Sequence, residues 1–270
     1  MARRRNPKKD KSARRRRPNW RQVPGGRARI SVETVTQLML AAPPDALPLV
    51  GMAGVWLWNV AQDAPSAAYC VDGCLTLHYA LAEYGIDSRV EAVILEANGN
   101  GARTLYGGDG PHWNPDGTFN GHTVLVVPAA GRFLDATLRQ YAEVPNTEHA
   151  ALLLGPLIDG EGLGSAPLPM HRRDHLVVYH PVPDGQRDAW RGPPLIAHDA
   201  AYRRAGANLA ANVIDMLRQE YLRDKTLASP YPRLRRLVRA LDGAKSVADD
   251  HGYRFGLPGS RKEVRLADFP

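Results

Sequence analysis

Apolar and polar positions change their period several times along this chain, and each change marks an element. From Tyr69 to Arg89 the sequence reads "YCVDGCLTLHYALAEYGIDSR". Cys70, Cys74, Leu77, Leu81 and Tyr84 recur there at helical spacing, one apolar stripe on an amphipathic helix. Gly85 stands where a helix C-terminal cap is favoured. "SRVEAVILEA" (88–97) then predicts a strand, followed by a Gly/Asn-rich loop from Asn98 to Asn120. "HTVLVV" (122–127), "RFLDA" (132–136) and "HLVVYHP" (175–181) are short apolar runs bounded by turn residues and predict further strands. Upstream, "SVETVTQLMLAA" (31–42) predicts a helix between an Ser31 N-cap and a Pro43-Pro44 stop, with a second helix over about 48–61. Downstream, Tyr202, Leu209, Val213, Met216 and Leu217 define one helical face. Leu234, Leu237, Val238 and Leu241 define another, beside Arg233, Arg235, Arg236 and Arg239. The pattern is that of an α+β protein: N-terminal helices, a helix carrying Cys70, an antiparallel sheet and a helical C-terminal region.

Charge divides the chain more sharply than periodicity does. Residues 1–29 hold 13 Lys and Arg against the single acid Asp10, whereas the remaining 241 residues hold 22 basic and 27 acidic side chains. The net charge of +7 is therefore a property of the tail. A segment so charged and so poor in apolar residues cannot bury enough surface to offset the entropy of ordering, and it is expected to be disordered. Its Arg14, Arg15, Arg16 and Arg17 run is the expected contact for nonspecific nucleic acid or another polyanion. Three segments follow: a tail at 1–29, a central domain at 30–195 and a helical region at 196–270. No apolar run reaches the roughly 18 residues that span a bilayer. Two cysteines at i, i+4 make no disulfide framework, and a cytoplasmic setting is expected. Cys70-x3-Cys74 with scattered histidines does not match zinc spacing, and neither a metal nor a cofactor is expected.

A cysteine nucleophile needs a thiolate, a base for its proton and a group that orients the base. Cys70 falls in the first turn of its helix, where positive potential favours an anion and free backbone N–H groups can hold an oxyanion. Cys74, one turn further in, reads as a small buried hydrophobe. The base candidate is His122, at the start of one strand, and the orienting candidate is Asp135, at the end of the next. In an antiparallel hairpin turning near residues 128–129 these two are cross-strand neighbours to within a residue or two.

These residues together resemble the transglutaminase-like branch of the papain-type cysteine fold. Cys70 opening a helix, Gly85-Ile86, the strand led by Arg89-Val90, His122 opening a strand and Asp135-Ala136-Thr137 closing the next carry the resemblance. It covers roughly residues 66–140. The chain departs from that pattern after the histidine, where Thr123-Val124 stand in place of Ala-Trp or a similar pair. The resemblance implies a Cys70–His122–Asp135 triad acting on a peptide, amide or acyl substrate, as a protease or amidase with water as acceptor and as a transglutaminase with an amine. Candidates for the oxyanion side chain are Gln62 and Asn59, and for the loop shaping the substrate site His112 and Trp113. Two alternatives stand beside it. One is an acyltransferase similar to the arylamine N-acetyltransferases, which share the Cys–His–Asp arrangement. The other is a catalytically inactive binding module tethered to nucleic acid by its Arg-rich tail.

Overall fold

The computed structural model describes residues 69–144, 152–158, 160–172, 174–223, 236, 239–240, 244–249, 251–256, 259 and 262–268. The helices expected at 31–42 and about 48–61, the basic tail with Arg14 to Arg17, Asn59 and Gln62 lie outside the described residues, as does most of the 234–241 face.

Helix α1 (Tyr69–Glu83) follows from the apolar stripe. Cys74, Leu77 and Leu81 are at most 1% exposed, a degree of enclosure at which truncating a leucine to alanine costs about 2–5 kcal/mol. The helix ends at Gly85, whose φ of 68° lets the Ile86 amide return to the Leu81 carbonyl and the Gly85 amide to that of Ala82. The chain then enters a seven-stranded antiparallel sheet. Its strands are β1 (Arg89–Gly99), β2 (Ala102–Tyr106), β5 (His122–Val127), β6 (Arg132–Asp135), β7 (Leu153–Pro156), β8 (Leu168–His171) and β9 (His175–Pro181). A two-stranded hairpin of β3 (His112–Trp113) and β4 (Phe119–Asn120) precedes β5. The loop expected from Asn98 to Asn120 therefore holds three short strands. The sheet order is β7-β6-β5-β1-β9-β8, with β2 also on β1.

The long strand β1 organises the sheet because one of its edges is shared. Arg89 to Val93 pair with β5, and Leu95 to Gly99 pair with β2. The changeover falls at Ile94, so His122, opposite Val93, and Tyr106, opposite Leu95, flank a split in the sheet. The other edge of β1 takes β9 from Val93 onward. Before that point the Ala92 amide donates to the Arg187 carbonyl, and the Trp190 indole N–H donates to the Val90 carbonyl. One face of the sheet packs on α1 through Val90, Ala92, Leu125, Val127 and Leu134. The opposite face forms a second core around Val93, Leu95, Val124, Val126, Phe133 and Tyr179.

Helix α2 (Pro193–Arg223) lies against α1, with Leu209, Ala210, Val213 and Ile214 buried in the first core and Tyr202 and Met216 packed on its margin. The boundary expected between 195 and 196 falls inside this helix. The wholly helical C-terminal region is corrected. After α2 comes a three-stranded antiparallel sheet of β10 (Ser246–Asp249), β11 (Gly252–Gly256) and β12 (Glu263–Arg265). Its physical reason is a tight turn at Gly252, with φ of 99°, flanked by Tyr253 and Phe255, which bury two aromatic rings against α1 and α2. The α+β class stands, with sheet as the larger part. Among the described residues no helix is long and apolar enough to cross a membrane.

Candidate functional site

Cys70 is the second residue of α1 and is 3% exposed. His122 opens β5 and Asp135 closes β6, and neither side chain has any exposed surface. The β5–β6 pairing sets Leu125 opposite Leu134 and Val126 opposite Phe133. Extended by one step, it places Asp135 opposite Val124, so His122 is the diagonal neighbour on the same face. The turn between the strands is one 3-10 turn, Pro128–Ala130, closed by Gly131. His122 Nε2 lies 2.7 Å from Asp135 Oδ2. The start of α1 is fixed against the same strand, because the Cys74 thiol donates to the Thr123 carbonyl at 3.4 Å. The Cys70 side chain is near enough to His122 to raise its proton affinity. Three residues from three elements thus meet where the sheet splits.

The carboxylate is saturated. Oδ2 accepts from His122 and from the Tyr179 hydroxyl at 2.8 Å, and Oδ1 accepts from the Thr137 amide at 2.9 Å and its hydroxyl at 3.0 Å. Burial opposes the ionised carboxyl, but the His122 charge and these donors outweigh it and hold Asp135 below the usual carboxylate range. Burial likewise favours a neutral imidazole. The Asp135 carboxylate, and Cys70 after it, overcome that and raise His122 from 6.5 to about 9. Burial pushes the Cys74 thiol well up, which keeps it a protonated donor. The second imidazole nitrogen, Nδ1, lies 2.7 Å from the Tyr141 hydroxyl. Tyr141 and Tyr179 were not singled out from sequence, and Thr137 entered only as part of the Asp135-Ala136-Thr137 motif, without a role of its own. Only Thr137 left a local signal, the hydroxyl two residues after an acid at a strand end, a spacing suited to a side-chain-to-backbone turn.

The expected substrate loop divides. Trp113 packs against Phe119 with ring centroids 5.3 Å apart, and its indole N–H donates to the Trp190 carbonyl at 3.0 Å. Both rings sit on the margin of the core that contains Cys70. His112 is exposed, with Nδ1 2.8 Å from the Gly110 carbonyl and 4.0 Å from the Asp109 carboxylate, and it turns to its own loop. A cleft of about 430 Å³ opens beside His78, Arg89, Glu91, Arg187 and Arg191, and none of Cys70, His122 and Asp135 lines it. Among the described residues no three His, Cys, Asp or Glu side chains converge as ligands for a metal ion.

Comparison with protein-family models, curated proteins and solved structures finds no match to this chain. The chemistry of the cluster therefore rests on its own geometry.

Proposed function

We propose that the protein is a cysteine-dependent acyl-transfer enzyme or hydrolase of the transglutaminase-like type, acting on a peptide, amide or acyl substrate. The observation that supports this is the Cys70–His122–Asp135 line, with an imidazole whose proton affinity is raised to about 9 beside the Cys70 sulfur. Cys70 and His122 share one proton; with that proton on the imidazole the Cys70 sulfur is a thiolate and attacks the carbonyl carbon. A carbon–sulfur bond forms, and the carbonyl electron pair moves to oxygen, facing the amides of the first turn of α1. When the tetrahedral species collapses, the bond to the leaving group breaks and His122 supplies that group's proton. Water or an amine then attacks the thioester, gives its proton to His122 and releases the sulfur. Asp135 holds the ring and its charge throughout.

The enclosure of the site supports a second reading, the binding module. Cys70 is 3% exposed, so a reagent reaches it only when its surroundings open. Iodoacetamide at pH 6 with mapping of the adduct separates the two. The enzyme reading expects rapid labelling of Cys70 that is lost in His122→Ala. Slow and equal labelling of Cys70 and Cys74 would sink it and leave the module. On either reading the basic tail is the contact for polyanions. Removing residues 1–29 is expected to abolish salt-sensitive retention on heparin, and undiminished retention would remove that role from the tail.

A further inference from the structure

Both nitrogens of His122 are occupied by oxygen. Nε2 faces Asp135 Oδ2 and Nδ1 faces the Tyr141 hydroxyl, each at 2.7 Å. The Tyr141 hydroxyl also lies 3.4 Å from the Gly121 carbonyl, an acceptor that can take its hydrogen and leave a lone pair of the same oxygen for Nδ1. A ring nitrogen that faces a lone pair must carry a hydrogen. The tyrosine is not placed there by chance packing. Its ring packs at a tilt against Tyr106 with centroids 4.1 Å apart, and the Tyr106 hydroxyl donates to Glu143 Oε2 at 2.8 Å. Glu143 also accepts from Thr104 Oγ1, which ties the segment after β6 to strand β2. Titratable groups facing the imidazole come from each element around it: Asp135 from β6, Tyr179 from β9, Tyr141 from the segment after β6, and Cys70 from α1, while Cys74, one turn on, acts on Tyr141. Burial, with Cys70 next, pushes the Tyr141 phenol well above its ordinary range, so its oxygen stays neutral.

We propose that Tyr141 is a positioning residue for the Cys70–His122 pair: its hydroxyl oxygen accepts a hydrogen bond from Nδ1 and keeps that proton on the imidazole, beside the sulfur. A neutral acceptor suits this task. A second carboxylate there would hold the proton too firmly to be passed to a leaving group, and an apolar wall would leave a buried N–H without a partner. The chemical role rests on the catalytic reading above, while the contact does not.

The test is the nitrogen and proton magnetic resonance of His122 in the full chain. In the unaltered protein at pH 7 both ring nitrogens are expected to carry hydrogen. A ring protonated on Nε2 alone overturns the proposal even if no variant folds. In Tyr141→Phe the proton affinity of His122 is expected to fall about tenfold, the worth of one hydrogen bond to a charged donor. Tyr84→Phe, which removes a hydroxyl that bonds the Ala210 carbonyl of α2 and not His122, is expected to leave that affinity unchanged. An unmoved affinity in Tyr141→Phe, or an equal fall in both variants, overturns the proposal. Cys70 alkylation that ignores His122→Ala instead sinks the catalytic reading, and the resonance result tells the two failures apart.

Discussion

Two ion pairs of equal length stand in contrasting parts of this molecule. His122 and Asp135 meet at 2.7 Å between β5 and β6, and Arg254 meets Asp249 at 2.7 Å between β11 and β10. The first pair has no exposed surface, and every lone-pair direction of its carboxylate is used by His122, Tyr179 and Thr137. The second is about one-third exposed on each side, and its arginine is shared with Glu263, itself more than half exposed. Water can replace any partner in the second and none in the first. Distance alone therefore says little about worth. What counts is what remains when a partner leaves.

Breaking the first pair should have the largest effect. Asp135→Ala leaves a buried imidazole whose Nε2 proton has no acceptor, and the Tyr179 and Thr137 hydroxyls lose theirs. A loss of about 3–5 kcal/mol in chemical denaturation is expected, and a loss within the error of the method would show the site to be far wetter than its burial implies.

Changing pH should have a smaller and directional effect. His122 titrates higher in the folded protein than in the unfolded one, about 9 against 6.5. Its contribution to stability is thus full below about pH 6.5 and is lost as pH rises through about 9. The stability gap between the unaltered protein and His122→Asn should be wide near neutrality and should narrow in alkaline buffer. A gap that widened with pH would contradict the sign. Asp135 acts at the other end. Its carboxyl is held low, so its contribution is present above the usual carboxylate range and disappears in acid.

The smallest effect belongs to the exposed pair. Arg254→Ala should leave the denaturation midpoint unchanged within error, because Asp249 and Glu263 then turn to solvent. A large loss there would mean that the C-terminal sheet depends on its charges and not on Tyr253 and Phe255.

The same contrast explains what could be read from sequence. The strands at 122–127 and 175–181 and the stop at Gly85 lie in short windows with strong apolar alternation or turn chemistry, and local pattern sufficed. His122 and Asp135 were brought together by counting through one hairpin; the observed register is offset from that count by two residues, because the turn is a 3-10 turn and not a two-residue loop. Tyr179 could not be found this way. It reaches Asp135 because β9 returns to pair with β1, a contact decided by sheet order and invisible to spacing. Tyr141 was hidden for a related reason, since its position depends on strand β2, read as loop because "ARTLY" sits between Gly101 and Gly107. The strands β10 to β12 escaped because segments such as "SVAD" and "EVR" are too short and too charged to show a period.

Gly99, at the end of β1, carries a consequence for the whole arrangement. A side-chain carbon on it would land on the main-chain oxygen of Glu143 and crowd the His175 side chain. The stretch bearing Tyr141 thus rests on a bare hydrogen atom at the tip of the central strand. The neighbouring Asn100 adds to that seat, since its side-chain amide donates to the Ala142 carbonyl at 2.8 Å. At position 99 even one methyl would act as a steric wedge, and its displacement would travel through Glu143 to the ring that touches the imidazole.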